Sequence, residues 1–228
     1  MKIAVLGTGM VGRAIAGQLS TLGHDVLIGT RDVEQTRART ESDLLGNVPF
    51  AQWQQAHPAV RLVPFADAGA HGEVIVKATQ GATTLSALDA VGAENLSGKV
   101  LLDIAMPLDL SQGMPPTLTV ANTDSLAEQI QRAFPETRVV KSLNIMPADI
   151  MVDPSRIPGE YNVFVAGEDA DAKETVKALL REVGWPDGAI LDLGGIRSAR
   201  GAEMYGVLIF TVSAALDTND FNLAIVCK

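Results

Sequence analysis

Short apolar runs and helix-spaced apolar positions take turns along this chain. Lys2-Ile-Ala-Val-Leu-Gly7 is a β-type run, and Val11, Ile15, Leu19 and Leu22 then recur at the spacing of one helix face. Gly23 ends that helix, and Asp25-Val-Leu-Ile-Gly29 reads as a second buried strand. The order repeats with Val60–Val63, a short helix near Phe65–Ala70, the strand Glu73–Ala78, a helix over Thr83–Val91 and the strand Lys99–Ile104. Strands alternating with helices predict parallel strands joined by right-handed crossovers, hence an α/β doubly wound sheet. The near-continuous apolar strands agree, because parallel strands are covered on both faces.

Met106–Thr123 is rich in Pro and Gly and reads as a surface loop. A helix follows, capped by Asp124 or Ser125, with Leu126, Ile130 and Phe134 on one face. After the strand Val139–Leu143 the pattern changes into a smaller α/β unit. It holds the strand Val163–Ala166, a helix over Ala170–Val183, the strand Ala189–Leu193 and a final helix over about Ser198–Leu216. That helix is apolar almost all round (Ala202, Met204, Val207, Leu208, Phe210, Val212, Leu216), which predicts burial in the core or in a subunit interface. The expected boundary lies near residue 145, with one domain over 1–145 and a smaller one over 146–228 that closes a cleft.

Composition narrows the class. With 47% hydrophobic and 20% charged residues, the balance is that of a globular protein. Lys plus Arg number 18 against 27 Asp plus Glu, and the net charge of −9 argues against a nucleic-acid partner. One cysteine, Cys227, excludes an internal disulfide and a Cys-based zinc site, and His24, His57 and His71 are too far apart for a metal motif. No metal is expected. The strand-like start, with no cleavable leader, predicts a cytoplasmic protein. The apolar run Gly206–Leu216 is shorter than the ~20 residues of a membrane span, so no membrane association is expected.

Gly7-Thr-Gly9-Met-Val-Gly12 closes the first strand and opens the first helix, the context that turns G-x-G-x-x-G into a dinucleotide fingerprint. Gly7 permits the tight turn, Gly9 lets the backbone approach a pyrophosphate, and Gly12 lets helix and strand pack closely. The pyrophosphate would meet unpaired N–H groups at the positive end of the helix. The first domain is therefore expected to be an NAD(P)-binding Rossmann domain. NAD sites carry an acidic residue about 20 residues beyond the glycines, to bond the ribose hydroxyls. Here the second strand ends Gly29-Thr30-Arg31, where a hydroxyl and a guanidinium suit a 2′-phosphate, and Asp32 reads as the cap of the next helix. NADP is favoured over NAD. Gln35, Arg37 and Arg39 either extend the positive rim or form a solvated helix face.

With these motifs the chain resembles the NADP oxidoreductases that work with coenzyme F420, an 8-hydroxy-5-deazaflavin. The likeness rests on Gly7–Gly12, Gly29-Thr30-Arg31, Asp103-Ile-Ala-Met-Pro107, Gly113-Met-Pro-Pro116 and Val140-Lys-Ser-Leu-Asn144. It continues through Met151-Val-Asp-Pro154 and Asp192–Arg200. The resemblance implies that Thr8, Gly9, Met10, Val11, Thr30 and Arg31 hold NADP, and that Thr79 and Met106, at the ends of two strands, border the nicotinamide. It places the deazaflavin near Asn144, Met146 and Pro147. Members closest to the pattern often carry Asn where this chain has Met106 and Thr where it has Ile145, so two polar groups near the second ligand are replaced by apolar ones.

Direct hydride transfer asks for stacking, alignment and exclusion of water, which suits a sequence with no evident acid–base dyad, and no catalytic side chain is assigned. Asn144 is read either as orienting a ligand or as tying down a loop. Lys141, Arg197 and Arg200 could face an anionic tail, and Lys141 could equally pair with a carboxylate. Asp103 stands at a strand end, and Trp53 and Trp185 read as packing residues. Two alternatives stand beside the deazaflavin: another acceptor (a flavin, an imine or a ferric complex), or a non-catalytic NADP-binding sensor. The expected partners are small-molecule cofactors and, from the apolar final helix, a second copy in a homodimer.

Overall fold

The structure, a computed structural model, describes residues 1–42 and 48–227. The first half alternates as the pattern predicts: β1 (Lys2–Leu6), α1 (Met10–Thr21), β2 (Asp25–Thr30), α2 (Val33–Ala38), α3 (Phe50–Ala56), β3 (Arg61–Pro64), α4 (Phe65–His71) and β4 (Val74–Lys77). Then come α5 (Thr84–Val91), α6 (Ala93–Leu96), β5 (Val100–Asp103), a small antiparallel pair β6 (Leu108–Asp109) and β7 (Thr117–Leu118), α7 (Leu126–Ala133) and β8 (Arg138–Ser142). The chain finishes with α8 (Ala148–Val152), β9 (Val163–Ala166), α9 (Ala170–Val183), β10 (Ile190–Asp192), α10 (Ala199–Gly206) and α11 (Leu208–Leu216). Helix α3, around Trp53, has no counterpart in the sequence reading. It packs by its aromatic rings, Trp53 stacking on His57 at 4.3 Å.

One eight-stranded sheet carries all of this, in the order β10-β9-β8-β5-β4-β1-β2-β3. The six strands from β3 to β8 are parallel, β9 runs antiparallel to β8, and β10 is parallel to β9. The fold is α/β, with helices on both faces of a mostly parallel sheet. The expected boundary near residue 145 falls just after β8, and strands on either side of it belong to the same sheet. The reversal has a simple cause. The link from β8 to β9 holds one α-helix of five residues, about 7.5 Å long, against the ~17 Å that a five-residue strand spans. Without a full crossover helix the chain turns and runs back.

Strand side chains alternate between two cores. Ile3, Val5, Val76, Leu102 and Val140 pack against α1, α8 and α9, through Ile15, Leu19, Ile150, Val176 and Leu180. Ala4, Leu6, Ile75, Leu101 and Val139 pack against α4, α5 and α7, through Phe65, Leu88, Leu126 and Ile130. Local chemistry sets the helix ends. Asp169 accepts from Ala172 N–H at the start of α9, and Gly184 takes the left-handed conformation (φ 114°) at its end. Ser125, rather than Asp124, caps α7; Asp124 pairs with Arg132 instead.

The final helix departs from expectation. It breaks at Val207 into α10 and α11, and Ile209 is the one buried residue of α11. Leu208 and Leu216 are 45% and 58% exposed, so the apolar end of the chain is not internal core. The break follows from close packing at Gly206. A Cβ there would collide with Met106 Sδ and stand 2.9 Å from the Asn144 carbonyl oxygen, so α10 ends pressed against those residues.

Candidate active site

The carboxyl ends of the parallel strands form the edge where α/β sheets bind ligands. At its centre β1 turns into α1 through Gly7–Gly9. Gly7 has φ 115°, and a Cβ on it would stand 2.9 Å from the Ala78 carbonyl oxygen, so the loop lies directly on the end of β4. A Cβ on Gly12 would fall into the Gly7 carbonyl, which is why helix and strand can close up there. Gly9 is different: a Cβ on it meets nothing within 4 Å. It heads a helix of twelve residues with no side-chain cap and no acidic residue in the first turn. Free N–H groups, an open backbone and the positive end of a long helix make this an anion site of the right shape for a pyrophosphate.

The end of β2 supplies the neighbouring subsite. Thr30 is buried, and its Oγ1 shares a hydrogen bond of 2.9 Å with Thr36 Oγ1. Asp32 caps α2 by accepting from Gln35 N–H at 2.9 Å, and Arg31 is exposed. Arg39, on the helix face read either as rim or as solvated surface, turns back toward the glycine loop. Its Nη2 donates to Thr36 Oγ1 at 3.0 Å and to Thr8 Oγ1 at 3.2 Å, across 31 residues of sequence. Only the fold brings Arg39 to Thr8; a charge run on a helix carries no signal of it. Arg37, by contrast, pairs with Glu34 on the same helix.

Beneath the edge lies a row of buried charge. Lys77, Asp103 and Lys141 are register partners at the ends of β4, β5 and β8, and all three are buried. Lys141 Nζ donates to Asp103 Oδ2 at 2.9 Å and to the Ala105 carbonyl, and lies 3.0 Å from Glu203 Oε1 of α10. Burial works against its charge, but Asp103 and Glu203 outweigh it and hold the ammonium above its ordinary range. For Asp103 too, burial opposes the charge, and Lys141 and Lys77 outweigh it, keeping the carboxyl below the usual carboxylate range. Lys141 therefore pairs with carboxylates and does not face an anionic tail. Arg200 is likewise engaged, in a forked pair with Glu128 at 2.6 and 2.8 Å. Glu203 also accepts from the N–H groups of Leu126 and Ala127, so one side chain joins α10 to the start of α7.

Thr79 stands just past β4, and its Oγ1 is buried with no partner among the described residues. Met106 is half-buried between Gly81 and Gly206. Asn144 is buried and donates through Nδ2 to the Ala202 carbonyl at 2.9 Å, tying the turn after β8 to α10. Ile145 and Met146 are buried in the core on the α1 side, and Pro147 heads α8. The structure thus gathers Gly7–Gly12, Thr30 and Arg31 with Thr79, Met106 and Asn144 at one edge, while the Met146 side chain points into packing. Trp185 is core, its Nε1 donating to the Met151 carbonyl. The open Gly9 and the orphaned Thr79 hydroxyl fit a bound dinucleotide. Among the described residues no cluster of His, Cys, Asp and Glu could hold a metal, and no helix is long and apolar enough to cross a membrane.

Comparison with known proteins agrees with this geometry. Residues 2–107 match the family described as NADP oxidoreductase, coenzyme F420-dependent. A solved structure from Arthrobacter sp. FB24, named as a candidate F420-dependent NADP reductase, is 54% identical, covers 100% of both chains and superposes with a TM-score of 0.93. The F420-dependent NADP reductase of Methanothermobacter marburgensis is 28% identical over 218 residues, 93% of this chain and 92% of its own. The rat metalloreductase STEAP3 is also 28% identical, over 204 residues, but this chain spans 36% of its length. The chain belongs to the family of coenzyme F420-dependent NADP oxidoreductases, and its class of activity is NADP-dependent oxidoreduction.

Proposed function

We propose that the chain passes hydride between NADPH and a deazaflavin, coenzyme F420, at the carboxyl edge of the sheet beside Thr79, Met106, Asn144 and Pro147. The carrying observation is the end of β2, where Arg39 joins Thr36, the partner of buried Thr30, to Thr8 of the glycine loop, exposed Arg31 follows Thr30, and the adjacent carboxylate, Asp32, is spent on a helix cap. Such a site suits a 2′-phosphate and offers no free carboxylate to accept from a ribose hydroxyl in its place. Bound there, NADPH supplies the hydride. The chain's own residues hold and align: the α1 N–H groups face the pyrophosphate, and Asn144, fixed on Ala202, stiffens the wall of the cleft. The shared name of the Methanothermobacter relative supports the deazaflavin as acceptor. We place this activity in the cytoplasm, in a homodimer joined through the exposed apolar face of α11.

A second reading keeps NADPH and changes the acceptor to a ferric complex. The metalloreductase relative favours it. The deciding experiment mixes purified protein and NADPH with oxidised deazaflavin, and separately with a ferric chelate or a flavin, following the absorbance of both reactants. Turnover with the deazaflavin alone is expected. Turnover confined to the ferric chelate transfers the assignment to the second reading, and none with any acceptor leaves an NADP-binding sensor. Binding titrations check the nucleotide half. NADPH should bind more tightly than NADH, and Arg31→Ala should weaken NADPH about 10- to 100-fold while leaving NADH unchanged. Equal losses for both would remove Arg31 as the phosphate clamp.

A further inference from the structure

Lys77 is the one member of the buried charge row that lacks a hydrogen bond. Its Nζ lies 3.6 Å from Asp103 Oδ1, within ion-pair range but too far to donate, and it has no other partner among the described residues. Lys141, by contrast, is saturated by Asp103, Glu203 and the Ala105 carbonyl. The row and Glu203 together carry two positive and two negative charges, so the cluster is neutral while Lys77 keeps its proton and carries −1 when it does not. Every charged group acting on Lys77 belongs to this cluster: Asp103 from β5, Lys141 from β8 and Glu203 from α10. Its neighbour in register on β1 is the apolar Leu6. Burial pushes the ammonium down to about 8, against the pull of Asp103, so the proton leaves within an accessible pH range.

The place of the cluster gives that charge a consequence. Lys77 is the last residue of β4; the next two, Ala78 and Thr79, touch the glycine loop and carry the orphaned hydroxyl. The nicotinamide half of a cofactor laid along this edge would rest above the ends of β4 and β5. The oxidised ring is positively charged and the reduced ring is neutral. A cluster at −1 therefore holds the oxidised form better than a neutral cluster does, and does little for the reduced form. We infer that Lys77 is a specificity-determining residue that sets the preference between oxidised and reduced cofactor through the charge of the Lys77–Asp103–Lys141–Glu203 cluster. This inference rests on the NADP reading.

The sign follows directly. Below pH 8 Lys77 is charged and NADP⁺ is at a disadvantage; above it the disadvantage disappears. The ratio Kd(NADP⁺)/Kd(NADPH) should fall roughly three- to tenfold between pH 6.5 and 9.5, as expected for a unit charge acting through a partly screened distance. Ionisation of the 2′-phosphate cancels in this ratio because both forms carry it. Lys77→Met leaves Asp103 with Lys141, so the fold keeps its paired core; its ratio should be flat with pH and fixed at the high-pH value. Lys77→Arg keeps the charge throughout and should be flat at the low-pH value. The readout is NADPH fluorescence on binding, with NADP⁺ measured by competition.

A merely structural Lys77 would shift both affinities together and leave the ratio alone. A wild-type ratio that stays constant across this range overturns the inference while leaving NADP binding intact. So does a pH slope that survives in Lys77→Met. Binding of neither nucleotide at any pH overturns the NADP reading itself, and the inference with it.

Discussion

Lys141 holds two buried carboxylates at once, and the cost of losing it differs sharply from the cost of losing its neighbour. Lys141→Met strands Asp103 and Glu203 without their main counter-ion and should destabilise the fold by about 3–5 kcal/mol in urea unfolding. Lys77→Met leaves every carboxylate paired and removes an ammonium that burial disfavours, so near pH 7 it should be neutral or stabilising. The pH dependence has a defined sign. The Lys77 ammonium sits at about 8 in the fold against an ordinary 10.5, so between these values the unfolded chain binds more protons. The Lys77 contribution to stability therefore rises with pH through this window, and the penalty is fully present below it. Comparing wild type with Lys77→Met at pH 7 and pH 10 isolates it: the variant's advantage should shrink at the higher pH. At this scale the tight turn of the glycine loop and the Asp32 cap were legible in the sequence, because each acts on its immediate neighbours. Glu203 as partner of Lys141, and Arg39 reaching Thr8, were not, because each needs the tertiary fold to bring distant segments together.

Helix α10 is fastened to the candidate site at several points: Glu203 to Lys141 and to the start of α7, Ala202 to Asn144, and Gly206 against Met106. Gly206→Ala should lower stability by about 1–2 kcal/mol in thermal unfolding, although alanine is the better helix former. The added methyl stands 2.9 Å from a backbone oxygen, and overpacking outweighs propensity there. The alternation of elements was legible because hydrophobic period distinguishes strands from helices. The break between α10 and α11 was not, since an apolar run gives the same pattern whether it lies in one long helix or in two. The direction of β9 was equally hidden: a strand's composition does not record which way it runs, and only the short link after β8 decides it.

As a whole molecule the chain combines a net charge of −9 with ligands that are themselves anionic. In the proposed site, local groups capture them against the average field, so that reading rests the binding on Arg31 and the α1 N–H groups and not on the rest of the surface. The exposed apolar end of the chain calls for another explanation. Leu208 and Leu216 on α11 are half-exposed in a single copy, and the proposed homodimer covers them. Sedimentation should show a dimer at micromolar concentration, and Leu208→Asp should shift it to monomer without unfolding it. A wild-type monomer under those conditions would leave α11 without a partner.

The row Lys77, Asp103 and Lys141 also bears on how the sheet assembles. Lys77 and Asp103 end their strands and Lys141 lies one residue before the end of β8, the three standing beside one another in register on the same face of the sheet. Sliding β5 by one residue would turn the Asp103 carboxylate into the apolar core on the opposite face and leave Lys77 and Lys141, on the two strands flanking β5, buried without it. Apolar strands such as Val-Leu-Leu tolerate such a slip by themselves, since one aliphatic side chain replaces another. The alternating charges do not. They act as a key cut into three otherwise interchangeable strands, admitting a single alignment of the sheet's centre and thereby fixing the level at which the chain leaves β4 toward Thr79 and β5 toward Met106.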